Sequence, residues 1–237
     1  MPVYRDEGVV LRSADIGEAD RVVTVLTRGH GKIRVAVRGV RRIRSRFGGR
    51  LEPFMRDDLL IATGRTLDVV SQAVTIGAYA ARICDDYDRY AAGSAILETV
   101  DRLVTIEGDP APAQYRLLVA ALAALAKGEH APDAIALSYV LRAMTLAGWR
   151  PRLESCVACG RADGLGWLSL RSGGALCDAH RDVGALAMGE PERLALRALL
   201  AGDWHAIDGA ALPGGTHDLT RAWAEYYLER PIRSLRL

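Results

Sequence analysis

The spacing of apolar residues changes character once along the chain. Up to about residue 77 it is that of strands. "EGVVLRSA" (7–14) and "DRVVTVLTR" (20–28) are short and β-branched. "GKIRVAVRG" (31–39) alternates, with Ile33, Val35 and Val37 on one face and Lys32, Arg34, Ala36 and Arg38 on the other. "DDLLIATG" (57–64) and "TLDVVSQAV" (66–74) follow across "GRT". A two-residue His30-Gly31 connection between the second and third runs predicts a hairpin, with glycine supplying positive φ. Five strands in this length fit a small closed barrel such as an OB-fold, and an SH3-like barrel fits almost as well on strand count alone.

From residue 78 the spacing is helical. "YAARICDDYDRYAAGSAILETVDRLVTI" (79–106) places Ile83, Tyr87 and Tyr90, then Ile96, Leu97, Val100, Leu103 and Val104, at helical spacing. Pro112 and Pro132 mark the starts of two further helices, and Gly148 ends the second. A later helix runs from Pro191 to Gly202. The last begins near Asp218, with Thr216 as its N-cap, and is closed by Pro231. The predicted architecture is α+β: a barrel domain over 1–77 and a helical domain over 78–237.

One segment, at 153–183, interrupts the helical half. In "CVACGRADGLGWLSLRSGGALCDAH", Cys156 and Cys159 are separated by two residues, seventeen follow, and Cys177 and His180 are again separated by two. This is the two-knuckle spacing of a structural zinc site. Tight turns aim each pair at one ion, and the intervening loop closes them into a tetrahedron of three thiolates and one imidazole. Gly160 follows the second cysteine, where such a turn needs an unencumbered backbone, and "WLSLRSGGAL" predicts a hairpin with Gly173-Gly174 at its tip. Four protein ligands leave no position for water, so the zinc is expected to be structural. Cys84, between apolar residues on a helix, reads as a buried structural cysteine.

Charge adds a second candidate site. Nine Lys or Arg and no Asp or Glu occur from Arg28 to Arg50, whereas the formal net charge of the whole chain is only +2. The cations are therefore a localised field on an otherwise acidic body. Lys32, Arg34 and Arg38 on the polar face of a strand, with Arg41, Arg42, Arg44, Arg46 and Arg50 in the loop after it, are candidate contacts to a polyanion. Only Phe47 and Phe54, with Tyr4 further off, could supply the stacking platforms of a single-strand binder. Binding through this surface is therefore expected to be electrostatic and indifferent to sequence and strandedness.

No secretory signal and no bilayer-spanning run is visible. A cytoplasmic protein with reduced cysteines and no membrane partner is expected. A P-loop, a dinucleotide fingerprint and a nucleophile elbow are all missing, and no histidine sits beside a nucleophile motif, so the reading is not that of an enzyme. The acidic pairs Asp57-Asp58 and Asp85-Asp86 read as solvated or capping residues.

The opening "YRDEGVVLRSADIGEADRVVTVLTRGHGKIRVAVRGVRRIRSRFGGRLEPF" resembles the N-terminal domain of the RecO family of bacterial recombination mediators. The "C-x-x-C-G … GG-x-L-C-x-x-H" segment and the C-terminal "YLERPIRSLRL" are similar to that family's zinc knuckle and tail. His180 stands where many members carry a fourth cysteine. The resemblance implies an N-terminal OB-fold, a helical C-terminal domain and one structural zinc. It further implies binding of single- and double-stranded DNA, strand annealing, and partnership with RecR and with the acidic C-terminal tail of the single-strand-binding protein SSB, so that RecA is helped onto SSB-coated DNA. The alternatives from the residues alone are an OB-fold RNA-binding factor and a zinc-stabilised scaffold whose basic loop binds an acidic protein.

Overall fold

A computed structural model describes residues 2–236. The chain forms two compact units, Met1–Glu129 and His130–Leu237. The first unit therefore takes in three helices along with the strands, although the change from strand to helix pattern falls near residue 78.

Five strands make a closed barrel: β1 (Val3–Ile16), β2 (Asp20–Thr27), β3 (Lys32–Val37), β4 (Met55–Ala62) and β5 (Asp68–Ala78). The order is β1-β2-β3-β5-β4, with β4 returning to pair antiparallel with β1 and with a short parallel junction of β3 and β5. This is the OB-fold arrangement rather than an SH3-like one. In β4 the alternation is complete: Met55, Asp57, Leu59 and Ile61 point inward. The interior is filled mainly by β-branched and leucine side chains, among them Val23, Val35, Leu59 and Ile61. The β2–β3 connection spans 28–31, four residues rather than two. The Thr27 N–H and hydroxyl both donate to Gly31 O, at 2.8 and 2.9 Å, and close the turn. Gly31 adopts φ +62°, and a Cβ there would lie 1.8 Å from Asp109 O, so glycine is required on both counts.

Three helices complete this unit: α1 (Tyr79–Cys84), α2 (Tyr87–Leu103) and α3 (Pro112–Lys127). The single helical run expected over 79–106 is broken at Asp85-Asp86, because the Asp86 carboxylate caps α2 by accepting from Arg89 N at 2.8 Å. Tyr87 and Tyr90 are exposed, and Cys84 is exposed rather than buried. Ile83, Ile96, Val100, Leu118, Leu122 and Leu125 are all buried.

In the second unit α4 (Pro132–Leu146) is enclosed on all sides, with every residue from Ala134 to Leu141 buried. Against it pack α5 (Glu190–Ala201) and α7 (Gly215–Leu228), and the short α6 (Trp204–Ile207) packs on α5. Pro132 sits in the first turn of α4, and Gly202 is the left-handed cap of α5, as the spacing predicts. Thr216 is not the cap of α7; it lies inside the first turn, fully buried, and Gly214 takes the cap position. A three-stranded sheet of β6 (Trp167–Ser169), β7 (Gly174–Leu176) and β8 (Leu186–Ala187) lies between α4 and α5 in the chain. Among the described residues no helix is long and apolar enough to cross a membrane.

Candidate nucleic-acid interface and metal centre

The basic run lies on β3 and on the connection 38–54 that follows it. That connection is pinned rather than free. Gly39 N donates to the Asp20 carboxylate at 2.7 Å and Arg41 N to Ala19 O at 3.1 Å, so the β1–β2 turn holds its first end. Phe47 and Leu51 are buried in the barrel core and hold its second half. Phe54 is buried as well, near Gly93 of α2, where a Cβ would meet its ring at 2.9 Å. With both phenylalanines inward, no aromatic of this connection is presented for base stacking.

Of the eight predicted cations, Arg34, Arg38, Arg41, Arg42, Arg44, Arg46 and Arg50 are exposed. Six of them, Arg34, Arg38, Arg42, Arg44, Arg46 and Arg50, take part in none of the ion pairs found among the described residues. Arg41 is partly engaged, with Asp15 at 3.4 Å and Gly17 O at 3.2 Å. Arg50 donates to Arg46 O at 3.0 Å, and the Arg46 guanidinium lies 4.9 Å from the Phe47 ring centre. Lys32 is placed differently. It is 8 % exposed, and its ammonium donates to Asp101 O at 2.6 Å and to the Asp101 carboxylate at 3.1 Å. It faces away from the barrel interior, as the alternation predicts, but the end of α2 covers it.

Beneath the connection lies a carboxylate the charge pattern did not reveal. Asp57 is fully buried; its Oδ2 accepts weakly from Leu51 N at 3.4 Å, and its Oδ1 has no hydrogen-bond partner. Burial pushes its pKa up, against the Thr75 hydroxyl and the charge of Arg50. Its neighbour Asp58 points outward to Arg5, whose hydrogen bonds hold its carboxyl below the ordinary value. The inward side of Asp57 was readable from its place in register with Met55, Leu59 and Ile61. Its depth was not.

In the second unit Cys156, Cys159, Cys177 and His180 converge, with their ligand atoms all within 4.8 Å of one another. The first pair sits on a turn closed by Gly160 N donating to Cys156 O at 2.9 Å, with Gly160 at φ +79°. The second pair spans a 3₁₀ turn over Asp178–His180 that follows β7. Sγ of Cys159 and of Cys177 are 3.9 Å apart, and Cys177 Sγ is 3.2 Å from His180 Nδ1. A tetrahedral zinc with Zn–S near 2.3 Å sets its sulfurs roughly 3.8 Å apart and a sulfur–nitrogen pair roughly 3.5 Å apart, so the four donors fit such an ion. The hairpin forms as the sequence predicts, although its tip is 170–173 and Gly174 already belongs to β7. Around it Trp167 Nε1 donates to Asp178 at 2.7 Å, Ser172 Oγ to Asp182 at 2.9 Å, and the Arg181 guanidinium covers the Trp167 ring at 3.6 Å.

The thiols of this cluster are electrostatically unequal. For Cys156 desolvation opposes ionisation, but N–H donors of Cys177, Cys159 and Ala158 outweigh it and bring its pKa down to about 6. Desolvation and the neighbouring thiols push Cys177 up instead. Crowded sulfurs with converging N–H donors suit a dication, which deprotonates its thiol ligands outright. The group could hold a metal ion.

Two family models match the chain, described as recombination protein O N terminal over residues 1–79 and recombination protein O C terminal over residues 84–236. Curated relatives match along the full length. The DNA repair protein RecO of Bifidobacterium longum (strain DJO10A) is 55 % identical over 237 residues, covering 100 % of this chain and 99 % of the relative. The proteins of the same name from Nocardioides sp. and Thermobifida fusca are 46 % and 44 % identical, each over 239 residues; the first covers 98 % of both chains, the second 100 % of this chain and 98 % of the relative. An OB-fold barrel, a helical unit with a three-cysteine, one-histidine cluster, and these full-length matches agree: the chain belongs to the RecO family of DNA repair and recombination proteins.

Proposed function

We propose that this chain is a recombination mediator that binds single- and double-stranded DNA through the arginines at 34–50 and promotes annealing of complementary strands. The observation that carries the reading is the run of seven exposed arginines on and beside one strand of an OB-fold barrel, all but Arg41 outside the ion pairs found among the described residues. Phosphate contacts release condensed counterions, so such a surface gives affinity without base recognition. Phe47 and Phe54 being buried supports an electrostatic mode over a stacking one. A surface that holds backbones and leaves base edges free lets two strands search for register while bound.

Lys32 contributes to the fold of this surface rather than to contact, because its ammonium is committed to Asp101. Cys156, Cys159, Cys177 and His180 would hold one zinc ion, which when bound supplies folding free energy to the knuckle. With all four positions taken by protein, that ion has a structural role. The family resemblance extends the proposal to RecR and the acidic tail of SSB as partners, to RecA loading on SSB-coated DNA, and to a cytoplasmic setting.

Equilibrium binding of the purified chain to single-stranded DNA, duplex DNA and RNA of one mixed sequence tests the reading, together with annealing of complementary oligonucleotides. Comparable, steeply salt-dependent affinity for both DNA forms and faster annealing are expected. A clear preference for RNA favours the RNA-binding alternative. Binding to acidic peptides without DNA binding favours the protein-interaction scaffold.

A further inference from the structure

The connection 38–54 buries nearly every large apolar side chain it carries. Phe47, Leu51 and Phe54 are inside, and Val40 packs against the barrel core. Ile43 is the exception: its side chain is fully exposed. The backbone places it there. Ser45 N donates to Arg42 O at 2.9 Å, so Ile43 occupies the second position of a turn, and Arg42 N donates to Gly39 O at 3.2 Å one turn earlier. The turn stands between two fixed ends, the β1–β2 turn on one side and Phe47 in the core on the other. Arg41, Arg42, Arg44 and Arg46 surround Ile43 in sequence, and no carboxylate lies between Arg28 and Arg50. Val183 is equally bare, but it sits beside Asp182 in a region of mixed sign. An isoleucine held outward among guanidinium groups of which only Arg41 is in an ion pair among the described residues meets whatever those groups bring in.

We propose that Ile43 is a wedge that enters between adjacent bases when the arginines seat the phosphate backbone, locally unstacking the nucleic acid. Apolar wedges beside cations are a recurring device in proteins that distort duplexes, where phosphate contacts offset the cost of a separated base step. The turn carries no exposed aromatic to stack on an extruded base, so insertion of an aliphatic group is the contact its chemistry allows. The device would weaken pairing at the bound step and so ease exchange of partners between strands. It rests on the nucleic-acid reading above and adds a mode of contact to it.

The test uses the full-length chain and mixed-sequence duplexes with 2-aminopurine at successive positions, whose fluorescence rises when the base unstacks. Wild type is expected to raise the signal about twofold or more, as a separated step requires. Ile43→Ala should bind with an unchanged salt slope, because its phosphate contacts remain, yet give less than about half that rise. Ile43→Leu should restore it. Duplex binding by wild type without a fluorescence change overturns the proposal, as does an Ile43→Ala response equal to wild type. If wild type fails to bind DNA in the same titration, the nucleic-acid reading falls and the wedge falls with it, a result distinct from binding without unstacking.

Discussion

Replacing Arg42, Arg44 and Arg46 together by alanine isolates the electrostatic footprint. These three are exposed and free of ion pairs among the described residues, whereas Arg41 already spends part of its charge on Asp15. If each touches one phosphate, the slope of log affinity against log salt should fall by about 2.7 for duplex DNA and about 2.1 for single strands. Between 50 and 200 mM salt, a slope smaller by 2.7 corresponds to a loss of affinity about fortyfold shallower than that of wild type. The structural cost should be small, because the three side chains are exposed and the ring contact removed is the guanidinium of Arg46 against Phe47. Such a contact is worth ~0.5–1 kcal/mol at an exposed site, a melting shift of a few degrees in a unit of this size. The assay is fluorescence anisotropy on single-stranded and duplex forms of one sequence at four or more salt concentrations, with thermal melting as the control. A normally folded variant that keeps wild-type slopes on both forms refutes the assignment, and the run would then be a docking loop for an acidic protein.

Lys32→Met should behave in the opposite way: the salt slopes stay unchanged, while loss of the ammonium from Asp101 costs about 1–3 kcal/mol in thermal or denaturant unfolding. Protein purified without added metal should carry close to one zinc by elemental analysis, and Cys177→Ser should bring this below about half an equivalent and lower the melting temperature. The salt slopes of its folded fraction should not move, since the knuckle belongs to the other compact unit. Asp57→Asn tests the buried carboxylate through pH. Its pKa is higher folded than unfolded, so the native state holds more protons and stability is eroded as pH rises through the folded-state value. The amide should therefore raise the melting temperature near pH 7.5, an advantage that shrinks as the pH falls and vanishes only below the unfolded value of about 3.9, where the aspartate becomes protonated in both states.

Local pattern carried most of the barrel, because alternation in β3 and β4 reports directly which side chains face the core. The metal cluster was equally readable, since its spacing alone brings two donor pairs to one point. What the sequence hid depends on distant neighbours. Lys32 reads as a solvated strand cation until the end of α2, 69 residues on, supplies Asp101 above it. Asp57 reads as one of a solvated pair until the core around Leu51 encloses it. The break between α1 and α2 turns on one side-chain hydrogen bond, Asp86 to Arg89 N, which competes with continued helix and leaves no trace in the apolar spacing. The exposure of Ile43 was hidden for a related reason, because it follows from Phe47 being drawn inward and from the turn that this forces.

Closure of the barrel has a consequence for the nascent chain. β1 pairs with β2 from Gly8↔Thr27 onward, a partner that leaves the ribosome soon after it. Its other edge pairs with β4, from Val3↔Ala62 to Val9↔Arg56, roughly fifty residues later. At synthesis rates of about 5–20 residues per second that edge waits on the order of 3–10 s without a partner. Unpaired edges recruit strands from other chains, and charged residues are the usual defence. The waiting stretch contains Arg5, Asp6 and Glu7 in succession, later matched to Leu60, Leu59 and Asp58. These three charges would therefore protect the growing polypeptide from intermolecular pairing before they serve the finished fold, and uncharged replacements there should show first as lost yield during synthesis.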